Sequence, residues 1–167
     1  MSDRPDWDTY FMTMAYLVAT RSKDPSTHVG AVIVGPSHEV RSTGYNGLPQ
    51  GVRDGEERMS ERPEKYLWTE HAERSAIFQA ALVGVPLEGC RMYTCGFPCA
   101  DCARAIIQAG LVEVIYDHDW VATDDRREWQ KSFEASRVMF TEAGVVMSCW
   151  RGDLVGKIIR FRGGKEF

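Results

Sequence analysis

Two short segments of the sequence combine residue types that bind metal ions and move protons. The first is His71-Ala72-Glu73, and the second runs from Pro98 to Cys102. On a helix, cysteines at positions i and i+3 share a face, so the sulfurs of Cys99 and Cys102 can reach one ion. One imidazole and two thiolates suit Zn²⁺, and three protein ligands leave the fourth tetrahedral position open to water. The spacing predicts one catalytic zinc ion held by His71, Cys99 and Cys102.

A carboxylate accompanies the predicted metal ligands. Glu73 follows His71 by two positions, where it would lie beside the ion without binding it. Zinc lowers the pKa of its bound water to about 7, and a neighbouring carboxylate can then accept a proton from that water. The pattern predicts a hydrolytic reaction in which Glu73 is the catalytic proton carrier.

Other interpretations of the cysteines stay open at this point. A C-x-x-C element can also be redox-active or half of a zinc finger, and Cys95 could supply the fourth ligand of a closed structural site. Five cysteines without a secretory signal favour metal binding over a disulfide framework. We expect Cys90, Cys95 and Cys149 to pack as small apolar side chains.

The elements that must position these residues alternate between helices and strands. Hydrophobic spacing predicts helices over residues 7–21, 70–82, 98–110 and 125–143, and strands over 29–34, 40–45, 91–95, 111–116 and 145–150. Pro98 is expected at the first helical position and Gly110 just past the helix end. The first two strands form a hairpin, and strand–helix–strand over 91–116 predicts a parallel pair. The fold class is α/β, a three-layer α/β/α sandwich with a five-stranded mixed sheet.

The whole chain, 1–167, is predicted to form one domain, with a core over about 7–150. Residues 46–69 have the polar, turn-rich composition of a long loop, which in a compact domain is usually functional or disordered. The last segment, 151–167, is a basic tail that either is solvated or contacts a neighbouring subunit or an anionic ligand.

The composition of the chain argues against some classes of binding partner. The chain is 44% hydrophobic and 26% charged, with a net charge of −4, which argues against broad contact with a nucleic-acid backbone. No run approaches the length of a membrane span, and the polar start does not read as a signal peptide. We expect a cytoplasmic protein that binds neither nucleic acid nor membranes.

Several motifs together identify a family resemblance. The order H-x-E and then P-C-x-x-C is the signature of the zinc deaminases. From about Trp7 to Trp150 the chain resembles the deoxycytidylate (dCMP) deaminases of the cytidine deaminase-like fold. The other matching segments are R-S-K-D-P at 21–25, V-G-A at 29–31, G-Y-N-G-L-P at 44–49 and I-I-Q-A-G at 106–110. The resemblance implies one zinc ion per subunit and hydrolysis of dCMP to dUMP and ammonia, which feeds thymidylate synthesis. Glu73 would carry the proton of water to N3 of the pyrimidine and then to the departing ammonia.

The same resemblance suggests nucleotide contacts. Asn46 would face the deoxyribose and base, and the backbone of Ala72 would face the base. Arg21 and Lys23 would bind the phosphate, although capping of the first helix explains them equally well. The segment from Tyr66 to Trp68 could stack on the base or cover it.

Two departures from the family pattern concern the substrate. Ser75 replaces an asparagine common in the family, and His28 replaces a glutamine. A related or modified deoxycytidine nucleotide, such as 5-methyl-dCMP, is therefore an alternative substrate. An RNA-directed adenosine deaminase, or a catalytically silent nucleotide-binding regulator, is a more distant alternative.

Assembly and regulation follow only from the resemblance. It implies a homo-oligomer, with a homohexamer favoured, activation by dCTP and inhibition by dTTP together with Mg²⁺. Some family members hold a second, structural zinc ion through residues before the H-A-E motif. That segment contains no cysteine here, so one zinc ion is expected.

Overall fold

A five-stranded mixed sheet forms the centre of the molecule, as predicted. The computed structural model describes residues 4–123, 127–158 and 160–166. The strands are β1 (Gly30–Val34), β2 (Val40–Tyr45), β3 (Arg91–Thr94), β4 (Glu113–Asp117) and β5 (Val146–Trp150). Their order is β2-β1-β3-β4-β5; β1 is antiparallel to β2 and β3, whereas β3, β4 and β5 run parallel.

Side chains of β1, which is paired on both sides, divide between two hydrophobic cores. Ala31 and Ile33 point into one core, and Val32 and Val34 point into the other, because successive side chains of a strand lie on opposite faces. All four are fully buried, which is why β1 reads as an unbroken apolar run rather than an alternating one.

Helices cover both faces of the sheet and complete three layers. On one face α1 provides most of the packing, together with Trp120 of α6, and the other face packs against α4, α5 and α7. The helices in chain order are α1 (Trp7–Ala19), α2 (Glu56–Ser60), α3 (Lys65–Trp68), α4 (Ala72–Val83), α5 (Ala100–Gln108), α6 (His118–Ala122) and α7 (Gln130–Ala143). The predicted parallel pair is confirmed, since α5 connects β3 to β4. No helix among the described residues has the length and apolar character needed to cross a membrane.

Gly44 allows α4 to lie directly on the sheet. A Cβ atom at this position would come within 2.4 Å of the Ala72 carbonyl oxygen and 2.3 Å of the Ala76 nitrogen. Any side chain would therefore push the helix away from β2. The first turn of α4, which carries Glu73, owes its depth in the molecule to this contact.

The structure corrects several predicted boundaries. The first helix ends at Ala19, not at residue 21, and the predicted loop 46–69 contains α2 and α3. Pro98 lies before the N-cap residue Cys99, so it is not the first helical residue. The last helix begins at Gln130 after a 3₁₀ turn, and its predicted start at residue 125 lies outside the described residues.

The end of the basic tail forms a hairpin that contacts the domain, although most of the described residues of the tail are exposed. Strands β6 (Phe161–Arg162) and β7 (Lys165–Glu166) form an antiparallel hairpin. Arg160 makes a 2.6 Å ion pair with Asp117, whose side chain is 1% exposed. A strand of two residues is too short to show an alternating hydrophobic pattern, so the sequence did not predict this hairpin.

Candidate active site

His71, Cys99 and Cys102 come together at one end of the sheet. His71 Nδ1 lies 3.5 Å from the Sγ atom of each cysteine, and the three ligand atoms lie within 4.8 Å of one another. With Zn–N near 2.1 Å and Zn–S near 2.3 Å, a tetrahedral ion needs N···S separations of about 3.6 Å. The three side chains therefore fit a zinc ion without rearrangement.

Two helix N-termini deliver these ligands. His71 is the N-cap residue of α4 and Cys99 is the N-cap residue of α5, while Cys102 follows on the first turn of α5. A helix N-terminus carries a partial positive charge, which favours an anionic sulfur there. The donor set and its electrostatic setting both suit a cation that binds thiolates.

The two cysteines titrate as a pair. A hydrogen bond from Cys102, together with His71, lowers the pKa of the Cys99 thiol to about 4. The same bond to Cys99 raises the pKa of Cys102 above its ordinary value, because its proton is shared. A bound divalent cation can take the place of that shared proton.

Cys95 does not join this cluster. Its thiol lies 3.6 Å from the Gly30 carbonyl oxygen and 3.4 Å from the Gly30 nitrogen, and burial raises its pKa to about 12. In the described part of the chain, the groups that could hold a metal ion consist of His71, Cys99 and Cys102 alone. Nothing in this arrangement supports a closed four-ligand site with Cys95.

Glu73 lies beside the cluster and is buried. It is the second residue of α4 and is 5% exposed. Burial raises the pKa of its carboxyl group, although the nearby His71 opposes that shift. A carboxyl group whose pKa is moved towards neutrality can both accept and release a proton near pH 7.

A cavity opens above the cluster and shares its walls with both motifs. Ala72, Glu73 and Cys99 form its base. The other lining residues come from six regions of the chain: Asp24, Thr27, Val29, Asn46, Arg62, Lys65, Tyr66, Thr69, His71, Gly96, Phe97, Trp120, Trp129 and Phe133. Trp129 forms an aromatic wall of the cavity. Its ring centroid lies 5.7 Å from that of His71 and 5.5 Å from that of Tyr66. Such a cavity has the mixed apolar and polar character of a small-molecule site.

Asn46 belongs to a buried polar network that also lines the cavity. Its Oδ1 accepts a 2.7 Å bond from the Val29 backbone, and its Nδ2 donates to the Thr27 carbonyl oxygen at 2.9 Å. Asp24 lies next to it and makes a 2.8 Å ion pair with Lys65, with 2% and 6% of their side chains exposed. The network fixes the orientation of the Asn46 amide.

Arg21 and Lys23 lie elsewhere. They are exposed and line a separate depression with Tyr45 and Asp54, and Lys23 forms an ion pair with Asp54. The structure therefore does not bring them to the cavity above the cluster. Ser75 and His28 do not line that cavity either.

Sequence reasoning missed several lining residues. Asp24 belongs to the R-S-K-D-P segment, which was a usable signal, whereas Arg62 and Lys65 lie in the predicted loop. Trp120 lies on α6, which is one turn long and has no periodic pattern. Only the tertiary fold brings these residues to the cavity.

Comparison with known proteins supports the zinc chemistry. The family model described as "Cytidine and deoxycytidylate deaminase zinc-binding region" matches residues 5–118. The chain is 40% identical over 148 residues to the deoxycytidylate deaminase of Homo sapiens, covering 86% of this chain and 79% of that protein. It is 37% identical over 149 residues to a probable deoxycytidylate deaminase of Drosophila melanogaster, covering 83% and 70%.

A solved structure shares the fold. The dCMP deaminase of the cyanophage S-TIM5, in complex with dCMP and dUMP, matches with a TM-score of 0.67 and 23% identity, covering 89% of this chain and all of that one. Its similarity confirms the predicted three-layer arrangement around a mixed sheet. Taken with the match over the zinc-ligand motifs, these findings show that the chain belongs to the cytidine and deoxycytidylate deaminase family.

Proposed function

We propose that this protein hydrolyses dCMP to dUMP and ammonia and so supplies dUMP for thymidylate synthesis. The observation that carries the proposal is the position of buried Glu73 beside the His71, Cys99 and Cys102 cluster at the base of an aromatic cavity. Relatives at about 40% identity are named deoxycytidylate deaminases, which supports this substrate.

His71, Cys99 and Cys102 would hold one zinc ion per subunit. When bound, zinc supplies the Lewis acidity that lets water act as a nucleophile near neutral pH. The chain itself contributes the geometry, since two rigid helix N-termini fix the three ligand atoms.

Glu73 would move the protons. It accepts one proton from the attacking water and passes it to N3 of the pyrimidine. It then takes the remaining proton of the hydroxyl group added at C4 and gives it to the departing amino group, which leaves as ammonia. The raised pKa of its buried carboxyl group suits both directions of transfer. Addition of water at C4 and loss of ammonia leave the oxygen of uracil, so atoms and charge balance.

The nucleotide would lie across the cavity. We assign the base to the backbone of Ala72 and the aromatic wall, and the deoxyribose to Asn46, which is 6% exposed and held in one orientation. For the phosphate, Arg62 is the better candidate than Arg21 or Lys23, because it lines this cavity and is exposed. The ammonium of Lys65 is already engaged by Asp24.

A substrate panel tests the proposal. Purified protein is incubated with dCMP, deoxycytidine, dCTP and 5-methyl-dCMP, and ammonia release is measured. We expect dCMP to give the highest kcat/KM. Equal turnover of deoxycytidine would overturn phosphate recognition, and preference for 5-methyl-dCMP would identify a modified deoxycytidylate as the substrate.

Assembly and regulation belong to the same proposal. Exposed apolar side chains on α4, among them Phe78 at 56% and Leu82 at 70%, support a homo-oligomer, for which we propose a homohexamer. The separate depression with Arg21, Lys23 and Asp54 offers cations and a carboxylate of the kind that bind a triphosphate with Mg²⁺. Sedimentation analysis, and dCMP turnover with added dCTP or dTTP, test assembly, activation and inhibition. A cytoplasmic location stays a prediction.

A further inference from the structure

The C-terminal hairpin, defined here as residues 160–166, is built onto one wall of the nucleotide cavity. The His28 backbone donates to the Phe161 carbonyl oxygen at 3.2 Å, and the Gly164 backbone donates to the Ser26 carbonyl oxygen at 3.1 Å. Between these bonds, Thr27 and Arg162 form an antiparallel bridge. Because Thr27 lines the cavity, the hairpin supports that wall from behind.

Arg162 extends from this hairpin to the end of α6. Its guanidinium donates to the Trp120 carbonyl oxygen and to Thr123 Oγ1, and it lies 5.2 Å from the centre of the Trp120 ring. Hydrogen bonds from a charged donor are stronger than neutral ones, and the planar guanidinium can satisfy two acceptors at once. One side chain thus holds the last turn of a helix that is only five residues long.

Arg160 secures the start of the same helix. It donates to Asp117 Oδ2 at 2.6 Å, and the Tyr16 hydroxyl donates to the same oxygen at 2.5 Å. Asp117 is the N-cap residue of α6, and its other oxygen accepts from the Asp119 backbone at 3.0 Å. Both ends of α6 are therefore fixed by arginines from the C-terminal hairpin.

The position of α6 affects the cavity through Trp120, the buried residue of this helix. It is 2% exposed and lines the cavity together with Gly96. A Cβ atom at Gly96 would lie 2.8 Å from the Trp120 indole nitrogen, so the ring packs against bare backbone. A small displacement of α6 would move this ring relative to the cavity, because a closely packed side chain has no free space in which to reorient.

We propose that Arg162 is a positioning residue for the nucleotide cavity. It holds Trp120 on α6 and Thr27 on the segment before β1 in the arrangement that receives the nucleotide. The contacts described above join Arg162 to Thr27 and to α6, whereas the zinc ligands lie at the starts of α4 and α5. Loss of Arg162 should therefore weaken nucleotide binding while leaving the metal site in place.

The inference rests on the proposed dCMP deamination for its kinetic test. We expect R162A to raise KM for dCMP about tenfold while kcat changes less than about threefold, as for loss of an interaction equal in ground and transition states. Zinc content should stay that of the wild type. R162K should recover part of the loss, since one ammonium cannot span both acceptors in the same planar geometry. The control K165A removes the same charge from the same hairpin, at an exposed position, and should keep the wild-type KM.

A double-mutant cycle with W120F separates positioning from general loss of stability. If Arg162 acts through Trp120, R162A should add little to the KM effect of W120F, whereas independent effects would add. A wild-type KM in R162A, or full additivity in the cycle, would overturn the proposal. If R162A does not fold, the same measurements are made on R162K. A wild-type KM for dCMP in R162K would also overturn the proposal.

Hydrogen exchange makes the test independent of the reaction. Amides of residues 118–123 should exchange faster in R162A than in K165A, while those at the starts of α4 and α5 stay unchanged. If the wild-type protein fails to turn over dCMP, the proposed function is wrong, and the exchange rates still decide whether Arg162 holds α6. Unchanged exchange in residues 118–123 would exclude that role.

Discussion

Two buried carboxylates in the cavity are driven in opposite directions by their surroundings. Burial raises the pKa of Glu73. Burial also acts to raise the pKa of Asp24, but hydrogen bonds from Lys65 and Ser26 outweigh it and hold that pKa below its ordinary value. When the pKa values of two neighbouring acids are pushed apart, the raised one is suited to proton transfer and the lowered one stays charged. This contrast supports the proposal that Glu73 carries the proton while Asp24 stays a structural anion.

The first prediction concerns Glu73 alone. E73Q keeps the size of the side chain but removes its ability to accept a proton, so kcat for dCMP should fall by roughly 10²–10⁴-fold. Zinc content, measured by elemental analysis, should stay that of the wild type, because Glu73 is not one of the three clustered ligands. E134Q, an exposed change on α7, is the control and should keep full activity. Substantial turnover by E73Q would remove Glu73 from the mechanism.

Residue spacing was enough to predict the metal cluster but not the nucleotide wall. Cys99 and Cys102 could be found because residues three apart at a helix start lie close together, and His71 because it opens the H-x-E motif; the structure brings all three together. Arg62 and Trp120 could not be found, because they reach the cavity through contacts between segments distant in sequence. Such contacts depend on tertiary packing, which local spacing does not encode.

At the scale of elements, long periodic segments were predicted well and short ones were missed. The five strands and the helices α1, α4, α5 and α7 were found because each buries a recognisable face. The helices α2, α3 and α6 span five residues or fewer, which is too short for a 3.6-residue period to repeat. They are stabilised by contacts such as the Asp24–Lys65 pair, which joins α3 to the turn after α1.

This pair gives the second prediction. D24N removes the charge that faces buried Lys65, and breaking a buried pair should lower the free energy of unfolding by about 3 kcal/mol at pH 7. Since the folded pKa of Asp24 lies below its unfolded value, its stabilisation is complete above the unfolded pKa, near 4, and is lost as pH falls through the folded pKa. Urea denaturation at pH 7, 5 and 3.5 measures this effect. The difference in free energy of unfolding between wild type and D24N should be the same at pH 7 and pH 5 and smaller at pH 3.5.

The matched control is a surface pair of the same type. D54N breaks the Lys23–Asp54 pair, whose side chains are 68% and 57% exposed, so solvent screens it and the stability should change by less than about 1 kcal/mol. Equal destabilisation by D24N and D54N would contradict the structural role of the buried pair. If the difference in free energy of unfolding between wild type and D24N became larger at low pH, the lowered pKa of Asp24 would be contradicted.

At the scale of the whole molecule, the predicted zinc ion joins the starts of two helices that pack mainly on different parts of the fold. The helix α4 packs mainly on β1 and β2 and α5 packs mainly on α7, although the two helices also contact each other. His71 belongs to the start of α4, and Cys99 and Cys102 belong to the start of α5. An ion bound by all three residues would link the antiparallel half of the sheet to the helices over its parallel half. Metal binding should therefore stabilise the whole domain as well as supply the chemistry.

The third prediction follows from this link. A ligand that binds the folded state alone stabilises it by about 4 kcal/mol when its free concentration is about 1,000 times its Kd. Chelation of zinc should therefore lower the Tm of the wild type by several degrees, and zinc added back should restore it. C102S should have a low Tm that does not respond to the chelator, because one of three ligands is gone. C149S changes an exposed cysteine outside the cluster and should respond as the wild type does. If the chelated and zinc-loaded wild type melted at the same temperature, the ion would not couple the two helices, and its contribution would be confined to the reaction.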